Sequence, residues 1–473
     1  MGTIKSLYES NLQGPKYQAV AKAIRQAIDT GVLGVSEKLP PVRDLAWQLQ
    51  ITPGTVARAY TVLTDDGVLS AEVGRGTFVA EPQAEPEVGS PRDADRDRRW
   101  QKHVAKVDTD IVSLFSPTLP DLGQVNLINQ SLAKMANDPN VDLLSYPGSA
   151  SEYGAQRAAL RWLTDTDLGP VSDKDMVLSH GSQNGLMLIL QTVLKGPHPV
   201  ILVEELSYPG FRRAARLLRA EVVPVPMDDQ GIVPEELERL ARKHDAQVLC
   251  TCPDVHNPTG LTTPLERRRN IAKVAKRVNL HMIEDESYRL PDANCPTYRA
   301  LLPELGWFIT SISKSFTPSL RVGFVVAPKK YRQALRQTAV HGHFGLAQPL
   351  TYVIEDLLGR PETHDVMDRI RQEMRQYIHA AVNALGGYDI AWHDDVPYLW
   401  LQLPDGWRAS AFVQAAEAKG VQVRTAEDFV PRTGFAPHAV RMAVNAGVTL
   451  RSYEEAMGRL RALLDNPQAG ITV

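Results

Sequence analysis

SISKSFTPSLRVG, residues 311–323, lies between two apolar runs, FITSIS from Phe308 and VGFVVA from Val322. Lys314 stands between two serines, and Arg321 follows it by seven residues. Each flanking run is too short for a core helix and suits a fully buried strand. Further runs of the same kind lie upstream: VILVEE from Val200, EVVPVP from Glu221, QVLCTC from Gln247 and HMIEDE from His281. Amphipathic helical patterns separate them. Near-continuous apolar strands alternating with helices indicate a mainly parallel sheet covered on both faces, an α/β fold. No internal repeat is present.

The whole chain has 473 residues, enough for two to four folding units. Its formal net charge of -3 gives no global attraction to nucleic acid or to an anionic membrane. No apolar run reaches about 18 residues, so no transmembrane helix is expected. The opening MGTIKSLYES lacks the apolar stretch of a secretory signal, which favours a cytoplasmic protein. Cys250 and Cys252 alternate along an apolar strand. A metal or redox pair is the sharper reading, but small core-facing thiols suit that strand better, and no metal site is assigned.

Three zones separate by pattern. Residues 12–80 form a compact unit of short helices closed by a hairpin. Residues 81–108 include EPQAEPEVGSPRDADRDRRW and have almost no aliphatic side chains, so they read as a mobile linker. Residues 109–473 carry the α/β pattern, with a large subdomain at about 166–328 and a smaller α+β subdomain from the remainder.

Pyridoxal phosphate (PLP) chemistry needs a lysine for a Schiff base and an acid that keeps the pyridine nitrogen protonated. Its phosphate needs amides, hydroxyls and a cation. SHGSQNGL, VEELSYPG, HNPTG, IEDESY and SISKSFTPSLRVG supply such groups in an order that resembles fold-type I aminotransferases. The resemblance spans roughly Val112 to Leu464. It implies Lys314 as the Schiff-base residue, and phosphate contacts from Ser182, Gln183, Ser311, Ser313 and Arg321. It also implies Tyr208 stacked on the ring, Asp285 on the pyridine nitrogen, and Asn257 and Tyr288 at the phenolic oxygen. In VRMAVN, Arg441 matches the arginine that holds a substrate carboxylate. In LLSYPG, Tyr146 matches a tyrosine that reaches the neighbouring subunit's phosphate. Ser287 before Tyr288 follows the spacing of true aminotransferases.

The N-terminal zone places Val20, Ile24, Ala27 and Ile28 at helical spacing. A second helix follows Leu39-Pro40-Pro41. A third starts at Thr52-Pro53, a natural cap and first turn, with Val56, Ala59, Tyr60 and Leu63 on its inner face. A Gly-Arg-Gly-tipped hairpin closes the unit. This order describes a winged helix-turn-helix, which puts the third helix into a DNA major groove. Through LPPVRDLA, TPGTVARAY, LTDDGVL and GRGTFV it resembles the GntR family of bacterial regulators. That resemblance turns Arg43, Thr52, Thr55 and Arg75 toward DNA, with Arg58 as a phosphate contact. The unit to Ala80 holds eight Lys and Arg against seven Asp and Glu, a weak electrostatic footprint.

A GntR-type reader joined to an aminotransferase-like domain resembles the MocR subfamily. The resemblance implies a transcription regulator bound to double-stranded operator DNA, with PLP or a small amino-carboxylate compound as effector. It further implies a domain-swapped homodimer, whose linker spans roughly 30 Å by random-coil scaling. The alternative is a working PLP-dependent aminotransferase that carries a reader.

Overall fold

The computed structural model describes residues 2–10, 16–34, 36–65, 68–72, 76–80, 111–290, 295–431 and 436–466. The linker reading at 81–108 and Arg75 fall outside the described residues. The chain divides into two compact units, Met1–Lys106 and Val107–Val473.

In the first unit, helices α1 (Gly2–Ser10), α2 (Lys16–Asp29), α3 (Val42–Leu49) and α4 (Pro53–Asp65) precede strands β1 (Leu69–Glu72) and β2 (Gly76–Val79). The strands form an antiparallel hairpin that pairs Leu69 with Val79. Val20, Ile24 and Ala27 of α2 meet Val56, Ala59, Tyr60 and Leu63 of α4 in one core. The Tyr60 hydroxyl donates to the Pro40 carbonyl at 2.8 Å, which ties α4 to the segment entering α3. Helix α1 precedes the residue-12 boundary read from the sequence, yet Ile4 and Tyr8 are buried in this same core. Two apolar positions four apart, on a helix of nine residues, are too sparse a pattern to announce it.

The second unit opens with β3 (Val112–Ser113). Its main sheet contains β4 (Met176–Ser179), β5 (Val200–Glu204), β6 (Glu221–Val225), β7 (Val248–Thr251), β8 (His281–Asp285), β9 (Gly306–Ser311) and β10 (Gly323–Val326). The strand order is β4-β10-β9-β8-β7-β5-β6. Only β10 runs against the others. All residues of β4, β5, β7, β8, β9 and β10 are buried, as strands covered on both faces must be. Cys250 and Cys252 lie in the apolar layer between the sheet and helix α5 (Ser182–Val193).

The stretch from Ser311 to Gly323 is the loop between two neighbouring antiparallel strands, so its ends meet. Ser311 pairs with Gly323, and Gly323 pairs on its other side with Ser179. Both edges of the loop therefore stand beside the start of α5.

Helix α6 (Pro361–Leu385) leads to a second, antiparallel sheet. It contains β11 (Ile390–Ala391), β12 (Tyr398–Gln402), β14 (Arg424–Thr425) and β15 (Ala439–Ala443), in the order β11-β12-β15-β14. Strand β13 (Val421–Gln422) pairs in parallel with β3. Helix α7 (Leu450–Leu464) covers this lobe through Tyr453, Ala456, Met457 and Leu460.

Candidate functional site

Polar groups converge at the carboxyl ends of the main strands, where open α/β sheets bind ligands. Asp285 ends β8, Ser311 ends β9, and Ser182 begins α5 just after β4. Asp285 is buried and pushed up to about 6 by that burial. The Ser287 hydroxyl donates to Asp285 Oδ1 at 2.7 Å and lies 3.2 Å from Ser182 Oγ. Among the described residues, no ion pair involves Asp285. A buried carboxylate so placed is ready for a cation.

Lys314 donates from Nζ to Ser116 Oγ at 3.0 Å. Burial, then the Arg441, Arg424 and Arg321 charges, push its amine down to about 8. Such an amine can attack a carbonyl near neutral pH. Nζ sits 5.8 Å from the centre of the Tyr288 ring, and burial pushes the Tyr288 hydroxyl up to about 12.

Around the start of α5 the backbone packs too closely for side chains. Gly181 has φ 79°, and a Cβ on it would meet Arg321 Nη2 at 2.5 Å. A Cβ on Gly323 would lie 2.5 Å from Gly181 C and 2.8 Å from Ser182 N. Arg321 is itself held at φ 50°, a strained conformation for a side-chain-bearing residue. The guanidinium is thereby set across the helix start. Helix-start amides at Ser182 and Gln183 point outward. The buried Ser313 Oγ has no hydrogen-bond partner. This set can hold a phosphate.

The Tyr208 hydroxyl donates to Gln183 Oε1 at 3.2 Å, and Gln183 Nε2 donates to the Gly210 carbonyl at 3.2 Å. Arg441, in β15, is only 4% exposed. It donates from Nη1 to Asn257 Oδ1 at 2.8 Å, and from Nη2 to the Phe115 carbonyl. Its guanidinium also lies 5.2 Å from the Tyr398 ring centre and 5.1 Å from that of Phe429. Tyr146 is not brought into this cluster within one chain. It is 82% exposed and stacks on Phe344 at 5.3 Å.

Ser116, the Phe115 carbonyl and Arg424 belong to the cluster but were not singled out in the sequence. Phe115 and Ser116 bridge between backbone anchors. Leu114 N donates to the Gln422 carbonyl at 2.8 Å, and Thr118 N to the Val444 carbonyl at 3.0 Å. Ser116 and Lys314 are 198 positions apart, beyond the reach of any local motif.

The arrangement meets three separate demands of PLP: a nucleophilic amine for its aldehyde, a buried acid with no cationic partner among the described residues for its ring nitrogen, and a glycine-opened cradle for its phosphate.

In the first unit, Arg43 is exposed on α3. The Thr52 and Thr55 hydroxyls bond each other at 2.8 Å at the start of α4. Arg58 lies over the Tyr17 ring at 4.2 Å, a cation–π contact that fixes its guanidinium on the outer face. Trp47, on α3, is 84% exposed and was not anticipated.

Residues 119–460 match the family model for aminotransferase class I and II. Residues 16–79 match that for bacterial regulatory proteins of the gntR family. The chain is 29% identical over 455 residues to YdeF of Bacillus subtilis, an uncharacterized HTH-type transcriptional regulator, covering 96% of this chain and 95% of that one. It is 26% identical over 427 residues to the vitamin B6 salvage pathway transcriptional repressor PtsJ of Salmonella typhimurium, covering 88% and 92%. An archaeal alanine:glyoxylate aminotransferase shares the fold, with a TM-score of 0.68 at 20% identity over 79% of this chain and 95% of that one. No described helix is long and apolar enough to cross a membrane. Sheet topology, cofactor chemistry and these matches agree, and the chain belongs to the aminotransferase class I and II family, as a DNA-binding regulator in which a GntR-type winged helix is joined to a PLP-binding sensor domain.

Proposed function

We propose that the sensor domain binds an amino-carboxylate compound through PLP, and that this occupancy sets how the reader holds its operator. Arg441 carries this reading. It is buried, and its two described hydrogen bonds go to an amide oxygen and a peptide carbonyl. Among the described residues no carboxylate pairs with it. A buried guanidinium with only neutral acceptors gains most from a ligand carboxylate, which accepts two parallel charge-assisted bonds.

PLP supplies an electrophilic carbonyl that captures amines. The remaining work falls to the chain. Lys314 anchors the cofactor, and Asp285 holds the proton on its ring nitrogen. Ser182, Gln183, Ser311, Ser313 and Arg321 bind its phosphate. Tyr208 would pack on its ring face, and Asn257 and Tyr288 would serve its phenolic oxygen. In that role Lys314 would release Ser116, and a ligand carboxylate on Arg441 would displace the Phe115 carbonyl. Both releases act on adjacent residues, close in sequence to the linker that leads to the reader. The ligand can shift the reader only by its differential affinity for the two states.

A second copy of the chain completes the assembly. Leu143, Leu144, Tyr146 and Phe344 are exposed apolar side chains, with Tyr146 stacked on Phe344, and they suit a homodimer interface from which Tyr146 reaches the partner's phosphate. The dimer acts in the cytoplasm on paired half-sites, contacted through Arg43, Thr52, Thr55, Arg58 and Arg75.

Arg441→Ala is expected to keep its PLP and its DNA binding, while amino-ligand affinity falls by roughly 2–4 kcal/mol. Titration of the visible PLP band with an amino acid measures this. A normal response in Arg441→Ala would leave PLP itself as the effector. Gly323→Ala forces the new methyl against backbone atoms of Gly181 and Ser182. PLP retention on dialysis should drop by about tenfold or more, because the phosphate cradle must widen. The runner-up, a working aminotransferase, rests on the completeness of the same cluster. Sustained formation of keto acid from an amino donor would favour it.

A further inference from the structure

A cavity of about 240 Å³ adjoins Lys314 and extends to helix α6. Met367, Ile370, Met374 and Ile378 of α6 line it, and their spacing of three, four and four residues puts them on one helix face. The loop after β9 supplies Lys314 and Ser315 to the wall, and the chain after β8 supplies Ser287 and Tyr288. Tyr208, Asn257 and Arg441, on which the amino-carboxylate reading is built, are not part of that wall. Protein interiors are close-packed, and voids larger than a water molecule are few. At about 30 Å³ per water the cavity equals roughly eight waters, room for one small ring compound.

The wall selects against charge. Asp165, Asp368, Asp394 and Asp395 border the cavity, and each already has a basic partner. Asp165 pairs with Arg289, and Asp368 with Arg371 at 2.8 Å. Asp395 pairs with Arg375 at 2.8 Å, and Asp394 with His379 at 2.6 Å. Lys314 is committed to the cofactor in the loaded protein. A charged ligand must therefore break one of these pairs or lie unpaired against the apolar face of α6, and both are costly. One polar group is left over. Among the described residues the buried Ser315 hydroxyl has no hydrogen-bond partner. A single donor or acceptor on an occupant would satisfy it. The two methionines let the opposite wall adjust to the occupant's shape.

We propose that this cavity is a second ligand site, which takes a neutral, mainly apolar ring compound with one hydrogen-bonding group, and that Ser315 binds that group. The site is separate from the amino-carboxylate reading and gives the same sensor a second input. An occupant touches Lys314 and Tyr288 on one wall and α6 on the other. It thus acts both on the cofactor anchor and on the helix that leads to the second sheet. Its influence on that anchor is bounded by its differential affinity for the two states.

The test uses the full-length, PLP-loaded protein, with indole as the probe and benzoate as a charged compound of similar size. Calorimetry counts the binding, and the visible PLP band reports whether Lys314 feels it. Indole has no primary amine and cannot displace Lys314. It should bind saturably, one per chain, perturb the band, and bind at least about tenfold more tightly than benzoate. Arg441→Ala should bind indole normally, which separates this cavity from the amino-carboxylate site. Met374→Trp fills the cavity and should abolish binding, and Ser315→Ala should weaken it about three- to tenfold. Should Met374→Trp lose the band, and with it the fold, Ser315→Ala carries the test alone. Absence of saturable indole binding, or equal binding of benzoate, would overturn the proposal and leave the amino-carboxylate reading standing. Loss of indole binding in Arg441→Ala, or its full retention in Ser315→Ala, would overturn the assignment to this cavity.

Discussion

Lys314→Ala is expected to stay colourless after incubation with PLP and gel filtration, whereas the unaltered protein turns yellow and is bleached by borohydride with the cofactor covalently retained. The effect should be all-or-none, because a Schiff base to the protein needs a primary amine at this position. The remaining site would still hold PLP weakly through its phosphate and Asp285, so a fluorescence titration should show reversible binding without the visible band. A borohydride-stable adduct in Lys314→Ala would mean that another lysine is the anchor.

The rate of attachment carries a pH signature. The lysine amine, ordinarily near 10.5, is pushed down to about 8 by burial and by neighbouring arginines. Only the unprotonated amine attacks, so its fraction rises with pH through that value. The attachment rate should climb about tenfold per pH unit below 8 and flatten above it. The same depression carries a stability consequence for the cofactor-free protein. Between about 8 and 10.5 the unfolded chain binds the proton that the folded chain has released. The Lys314 contribution to stability therefore rises with pH across that window and is lost on acidification through it. A rate that continued to climb in proportion to hydroxide well above pH 8 would contradict the depressed amine.

Removal of residues 1–80 is expected to abolish specific operator binding and to leave the PLP band unchanged. The reader has its own core, in which α1, α2 and α4 bury Ile4, Ile24 and Leu63 together, and the sensor has separate ones. Within the full chain, Arg43→Ala should cost about 1–3 kcal/mol and relax sequence preference if Arg43 meets a base edge. Arg58 differs, since Tyr17 already pre-orders its guanidinium. Arg58→Ala should weaken binding to all sequences alike and flatten the salt dependence. Mobility-shift titrations on the upstream region at several salt concentrations separate these outcomes. Equal operator binding without residues 1–80 would reject the reader assignment.

Much of the fold was legible because its signals are local. A strand inside a sheet covered on both faces must be apolar along its whole length, and the runs at Val200, Gln247, His281, Phe308 and Val322 each became such a strand, while the run at Glu221 became the partly exposed edge strand β6. Lys314, its flanking serines and Arg321 lie on one loop between paired strands, so a single stretch of sequence displayed them together. The reader was legible for the same reason, since the start of α4 and the packing face of each helix follow from spacing and capping. Helix α1 was missed because two apolar positions give no period.

What the sequence by itself determined was therefore the order of elements, the two-part architecture, the PLP cofactor and the residues next to recognisable turns. Tertiary structure alone decided which distant groups share the site. Ser116 meets Lys314 because β3 docks beside β13 and carries the next residues across the strand ends. Arg441 meets Asn257 across 184 positions, since β15 faces the main sheet. Arg424 becomes its neighbour only through cross-strand register. Burial, too, is collective. An amine at about 8 and a carboxyl at about 6 arise from the water that surrounding chain excludes. No residue's own neighbours in sequence carry that information.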